Sequence, residues 1–160
     1  MISLTRRYRF SASHRLHSPL LSDSENDRVY GKCNNPHGHG HDYSLELTIS
    51  GNLDPATGSL VPIAQLDRFV SEKILRLFSH RNINVDVPEF VNLVPTTENV
   101  VCVIAKIVQR YWLDCFGDLP IRAARVHLQE TDRNGFELFL AAPKWENSAV
   151  ERIESVVVHA

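Results

Sequence analysis

Alternation of apolar and polar residues with a period of two runs through the first third of the chain, and it constrains the fold more than any other feature. Tyr8, Phe10, Ala12, His14 and Leu16 share one face of an extended segment, and Arg7, Arg9, Ser11, Ser13 and Arg15 share the other. The pattern recurs from His39. There His39, His41, Tyr43, Leu45, Leu47 and Ile49 alternate with polar Ser44, Glu46, Thr48 and Ser50. Each segment reads as a strand that buries one face against a second layer and leaves the other face polar.

Three imidazoles ride on the buried faces. His14 points inward on the first strand, and His39 and His41 point inward on the second. A buried neutral imidazole needs its own hydrogen-bond partner, so one inward histidine is ordinary and three converging are not. A shared zinc ion satisfies all three, and three nitrogen ligands leave a fourth position open, as in catalytic zinc sites. Cys33 lies six positions before His39 in Cys33-Asn34-Asn35-Pro36-His37-Gly38-His39-Gly40-His41, and is then free for chemistry. His37 reads as a loop residue.

Helical spacing follows. Leu66, Phe69, Val70, Ile74, Leu77 and Phe78 predict a helix from Ala64 to Phe78, ending at Ser79 and His80. Thr96-Thr97-Glu98 offers a hydroxyl cap and an early acid for a second helix. That helix carries Val100, Ile104, Ile107, Val108 and Tyr111 on one face and stops by Gly117. Two strands close the domain, Ile121 to Glu130 and Phe136 to Ala142, with Asn134-Gly135 as the hairpin signal. His17 to Lys32 reads as a loop, and Asn82 to Val94 as irregular. The order is ββααββ in one α+β domain over residues 1–143, followed by an extension over 144–160.

In the third strand Ala124, Val126, Leu128 and Glu130 share a face, so a carboxylate ends an apolar stripe. A buried carboxylate needs a partner. It would suit a ligand with adjacent N–H donors such as an aminopyrimidine ring; alternatively the strand has ended and Glu130 is solvated.

The net charge of −2 gives no sign of nucleic-acid or membrane binding, though Arg6-Arg7 could serve an anionic substrate. No apolar run reaches the length of a membrane span, and the start of the chain has no apolar signal core. Three cysteines, an odd number, argue for a reducing cytoplasm rather than a disulfide framework.

With these residues in view, the chain resembles the 6-pyruvoyl-tetrahydropterin synthase family and its relatives, the 6-carboxy-tetrahydropterin synthases. The matching segments are Phe10 to Leu16, Gly31 to Pro36, Gly38 to His41, Asp54 to Gly58, His80 with Asn82, Asp86-Val87-Pro88, Thr96 to Val100, and Glu130-Thr131-Asp132. The resemblance implies a tunnelling fold, a four-stranded antiparallel sheet with two helices on one face, assembled as a homohexamer of two stacked trimers. It implies a zinc-dependent lyase of tetrahydrobiopterin biosynthesis that converts 7,8-dihydroneopterin triphosphate to 6-pyruvoyl-tetrahydropterin and triphosphate. His14, His39 and His41 match the zinc ligands, and Cys33 matches the proton-abstracting thiol. His80 matches its histidine partner from a neighbouring subunit, Glu130 the pterin anchor, and Thr96 and Thr97 positions lining the pterin pocket.

Ser79 stands where the family has an aspartate before the histidine. Asp42 and Asp86 are the carboxylates that could replace it. The alternatives are a related pterin enzyme, either a carboxy synthase or a side-chain-cleaving paralogue, and a weakly active zinc-containing pterin-binding protein.

Overall fold

The computed structural model describes residues 1–141. Strand β1 (Ile2–His14) leads into a segment whose centre is helix α1 (Asp23–Tyr30), where the sequence predicts a loop. The helix lacks an apolar stripe, so periodicity could not reveal it. Its signal is the capping box: Ser22 accepts from the N–H of Glu25, whose carboxylate accepts from the N–H of Ser22. Asn26, fully buried, holds the preceding turn through Ser18 and Leu21.

A single 3-10 turn (Gly31–Asn34) and a bend at Gly38 then deliver the chain to β2 (His39–Gly51). Gly38 has φ of 70°, and a Cβ there would stand 2.9 Å from the carbonyl oxygen of His14. Strands β1 and β2 pair antiparallel along their whole length, with Ile2 opposite Gly51 and His14 opposite His39.

Helix α2 (Ile63–Val70) continues through one π turn (Ser71–Leu75) into α3 (Arg76–Phe78), which together occupy the predicted first helix. A two-residue strand β3 (Arg81–Asn82) leads into the stretch predicted as irregular from Asn82, which contains a short helix α4 (Ile83–Asp86) and a 3-10 turn (Pro88–Phe90). Helix α5 (Thr97–Phe116) starts from the Thr96 cap, and Gly117 follows its end. Strands β4 (Ile121–Thr131) and β5 (Asn134–Phe139) complete a sheet of order β3-β1-β2-β4-β5.

The α+β expectation stands, with one more strand than the four expected. The four long strands are antiparallel, and β3 joins β1 in parallel at Ala12 and Ser13. Two residues carry no readable alternation, which is why β3 left no trace in the sequence. Leu45, Leu47, Ile49, Val126 and Leu128 on the sheet pack with Leu66, Ile74, Ile104 and Val108 of the helices in one core.

Two details correct the sequence reading of β4 and β5. A bulge between Thr48 and Ile49 skips Ala124, so Ile121 and Ala123 rather than Ala124 continue the buried stripe of Val126 and Leu128. The hairpin turns at Asp132 and Arg133, and Asn134-Gly135 already belongs to β5, where Gly135 lies against His127.

Arg6 and Arg7 prove not to be a cluster, because they face opposite sides of β1. Arg6 grips both carboxylate oxygens of Asp67 on α2, and Arg7 pairs with Glu46 on β2. The 143/144 boundary and the extension with Trp145, Val150, Ile153 and Val156 to Val158 lie outside the described residues.

Candidate active site

The β1–β2 register sets His14 opposite His39 and Ala12 opposite His41, all on the inward face. One ring nitrogen from each of His14, His39 and His41 lies within 4.8 Å of the others. His14 is 1% exposed, and its Nδ1 sits 2.8 Å from the carbonyl oxygen of Pro95. That oxygen can only accept, so Nδ1 carries the hydrogen and Nε2 keeps its lone pair. Nε2 in turn lies 3.1 Å from Nε2 of His39.

Burial lowers the pKa of His14 from 6.5 to about 4, and burial followed by repulsion from His41 lowers that of His39. Neutral imidazole is the form that binds a metal. Nε2 of His41 and Nδ1 of His39 are buried with no hydrogen-bond partner among the described residues. A cation among the three rings would give His41 Nε2 a partner, and a three-nitrogen donor set suits a transition metal such as zinc. His37 is exposed on the loop and outside the group.

Glu130 belongs to β4, and its side chain is 13% exposed, so the strand has not ended before it. The β4–β5 register jumps from Gln129 to Thr131, making Glu130 the extra residue of a bulge. Bulges re-aim side chains, often beside active sites. Its Oε1 lies 3.6 Å from Nε2 of His14 and 3.8 Å from Nε2 of His41, and the Tyr43 hydroxyl donates to it at 3.4 Å. Burial and the adjacent Glu130 charge push the Tyr43 pKa up, so that hydroxyl keeps its proton. Glu130, His39, His41 and Cys33 line one cavity of about 550 Å³, with Lys32 and Thr131 at its wall.

Cys33 is half-buried in the 3-10 turn, and its carbonyl accepts from the N–H of Leu16 at 2.9 Å. The next residue anchors it. Buried Asn34 donates to Asp27 at 2.6 Å, and Arg15 donates to its side-chain oxygen and its carbonyl, each at 3.0 Å. Asp27 and Asn34 were missed by sequence reasoning. Isolated polar residues in an aperiodic turn carry no signal beyond their position beside Cys33.

The other predicted residues lie apart within one chain. His80 takes φ of 58°, donates its N–H to the carbonyl of Ser11, and lines a second cavity of about 470 Å³ that does not include Cys33. Thr96 is committed to capping α5 through Asn99, and Thr97 is buried. Neither lines the Cys33 cavity. The α5 entrance still touches the histidine cluster, through Pro95 and His14.

An inward histidine triad and a bulged glutamate on a mixed sheet define a chain of the pterin-synthase type, and the comparisons agree. Residues 3–139 match the model of the 6-pyruvoyl tetrahydropterin synthase family. The chain belongs to that family, whose members are lyases. It is 44% identical over 132 residues to the human 6-pyruvoyl tetrahydrobiopterin synthase, covering 82% of this chain and 86% of that one. The Dictyostelium discoideum synthase is 39% identical over 133 residues, covering 83% and 92% respectively. The structure of the Caenorhabditis elegans 6-pyruvoyl tetrahydropterin synthase superposes with a TM-score of 0.77 at 34% identity, covering 88% of this chain and 96% of that one.

Proposed function

We propose that the protein converts 7,8-dihydroneopterin triphosphate to 6-pyruvoyl-tetrahydropterin with release of triphosphate. One observation carries this reading: Cys33, Glu130, His39 and His41 line a single cavity, with His14 completing the histidine group behind it. The Glu130 carboxylate can accept parallel hydrogen bonds from the amino and ring N–H groups of a pterin, which orients the ring. His14, His39 and His41 would hold zinc, and a bound zinc stabilises negative charge developing on the substrate's side-chain hydroxyls.

Cys33 Sγ, as thiolate, removes the proton from the substrate side chain. His80 serves that thiol from a neighbouring copy, in keeping with the separate cavities that Cys33 and His80 line within one chain. Thr96 and Thr97 line the pterin pocket in the assembled protein.

The assembly is a homohexamer. Open sheet edges favour it: β3 covers β1 only at Ala12 and Ser13, leaving the rest of that strand as an open edge, and exposed Ile2 and Phe139 lie on β1 and on the outer strand β5. No described helix is long and apolar enough to cross a membrane. The free cysteines Cys33, Cys102 and Cys115 fit a reducing cytoplasm.

The test is product analysis after incubation of the zinc-loaded protein with dihydroneopterin triphosphate. A 6-pyruvoyl product and triphosphate are expected. A hydroxymethyl or carboxy product, or tight binding with no product, would overturn the assignment.

A further inference from the structure

An imidazole that receives a proton gains a charge, and a nearby carboxylate stabilises the imidazolium. The residue before His80 cannot do this. Ser79 has a neutral side chain, and its N–H ends the helix by donating to the carbonyl of Leu75. Asp86 is committed elsewhere: its Oδ2 accepts from the N–H of Asn82 at 2.8 Å, and it does not line the His80 cavity.

Asp42 is the one carboxylate that lines that cavity. It stands directly opposite Ser11 across the β1–β2 pair, and the Ser11 hydroxyl donates to its Oδ1. Ser11 in turn receives the His80 N–H at its carbonyl, 2.7 Å away. Asp42, Ser11 and His80 therefore sit side by side across the end of the sheet, on the polar face away from the core. Asp42 makes no ion pair with a described cation, so its charge is not already spent on a neighbour. His80 is the one described non-glycine residue with positive φ. Such a backbone costs free energy and persists where surrounding contacts hold it, often at functional sites.

We propose that Asp42, held by Ser11, is a positioning residue for His80, supplying across the cavity they share the negative charge that Ser79 lacks. This rests on the pterin-synthase reading above. In the step concerned, the proton leaves Cys33 Sγ and binds a ring nitrogen of His80 from the neighbouring copy. The products are a thiolate and an imidazolium. Asp42 stays ionised throughout, and no bond to it forms or breaks.

The test is a double-mutant cycle on the zinc-loaded assembly with dihydroneopterin triphosphate, reading kcat and KM separately. Asp42→Asn keeps the shape and the Ser11 contact while removing the charge. It should lower kcat by about ten- to a hundredfold, the range for a lost charge-assisted contact, and leave KM within about twofold. Ser79→Asp should raise kcat at least tenfold more in the Asp42→Asn background than in the parent, because only there is the charge missing. A merely structural role for Asp42 would not be rescued by an acid on another strand. Unchanged kcat in Asp42→Asn, or equal gains from Ser79→Asp in both backgrounds, overturns the proposal.

If Asp42→Asn fails to assemble, Ser11→Ala is read the same way. A fall in kcat that Ser79→Asp restores supports the proposal, and a fall that it does not restore overturns it. A parent protein that forms no pyruvoyl product overturns the proposed function and the role of Asp42 with it. An active parent with a fully active Asp42→Asn overturns the role of Asp42 alone.

Discussion

Oε1 of Glu130 lies 3.6 Å from Nε2 of His14, with Nε2 of His41 at 3.8 Å from the same oxygen. The candidate ligand anchor and the candidate metal group are thus one electrostatic unit, joined where the β4 bulge turns Glu130 toward β1 and β2. Recognition of the pterin ring and activation of its side chain can be separated by mutation only if the substitution keeps the bulge and the size of the side chain.

Glu130→Gln meets that condition. It replaces one acceptor oxygen with an amide donor and removes the charge. Each charge-assisted hydrogen bond lost should cost on the order of 1.5–3 kcal/mol, so pterin affinity should fall about ten- to a hundredfold per bond. Calorimetry with a pterin ligand reads this directly, and zinc content should stay near that of the parent. Unchanged affinity would remove Glu130 from the anchor role.

The metal prediction follows from the neutral imidazoles. The purified protein should hold about one zinc per chain, and His39→Ala should lose most of it, because two nitrogens make a much weaker site than three. Atomic absorption on both proteins decides the matter; full occupancy in His39→Ala would show that the ion sits elsewhere.

The same histidines set a pH dependence for the metal-free protein. The folded pKa of His14 is about 4, below its ordinary 6.5, because burial penalises the charged ring. Between these values the unfolded chain binds a proton that the folded chain refuses. The stability linked to His14 is therefore complete above about pH 6.5 and is lost as pH falls toward 4. The whole shift corresponds to about 3 kcal/mol. Urea titrations of metal-free parent and His14→Gln at pH 7 and pH 4.5 should show a steeper loss in the parent. Parallel losses in the two would mean that His14 is not held neutral by the fold.

Much of this site was legible because β-strand parity is simple. The alternation through Phe10, Ala12 and His14 and through His39, His41 and Tyr43 placed all three imidazoles inward, and the register confirms that face. Parity failed where a bulge added a residue, so Ala124 was misplaced. Glu130 remained inward, although the bulge at that position could not be seen in the sequence. Helix α5 was readable from its Thr96 cap and apolar stripe, whereas α1 had only a capping box to mark it. What local pattern cannot supply is contact between distant segments. Pro95 against His14, Asp27 against Asn34, and Asp42 beside His80 are each created by the fold.

Asn34→Ala tests the support beneath Cys33. The substitution removes the hydrogen bonds of the buried Asn34 side chain to exposed Asp27 and half-buried Arg15, both of which water can then reach, so it should cost about 1 kcal/mol of stability. The turn that carries Cys33 would also lose the side-chain bonds that hold it, leaving the Leu16 contact and the Arg15 bond to the carbonyl of residue 34. The expected result is a lower melting temperature together with a reduced kcat and normal zinc content. A fully stable, fully active variant would show that the thiol is positioned without Asn34.

The assembly makes the most consequential prediction, because within one chain Cys33 and His80 line separate cavities. If His80 serves the Cys33 of a neighbour, a Cys33→Ala chain and a His80→Ala chain are each inactive alone but complementary when mixed. Dissociating and reassembling the two variants in equal amounts should create some interfaces that pair an intact Cys33 with an intact His80, and so recover part of the parent activity. Light scattering on the parent should give a hexamer mass at working concentrations. A stable monomer would remove the basis for shared sites. A hexamer that mixes fully, verified by tagged subunits, yet gains no activity would place the partner of Cys33 within its own chain or outside His80 altogether.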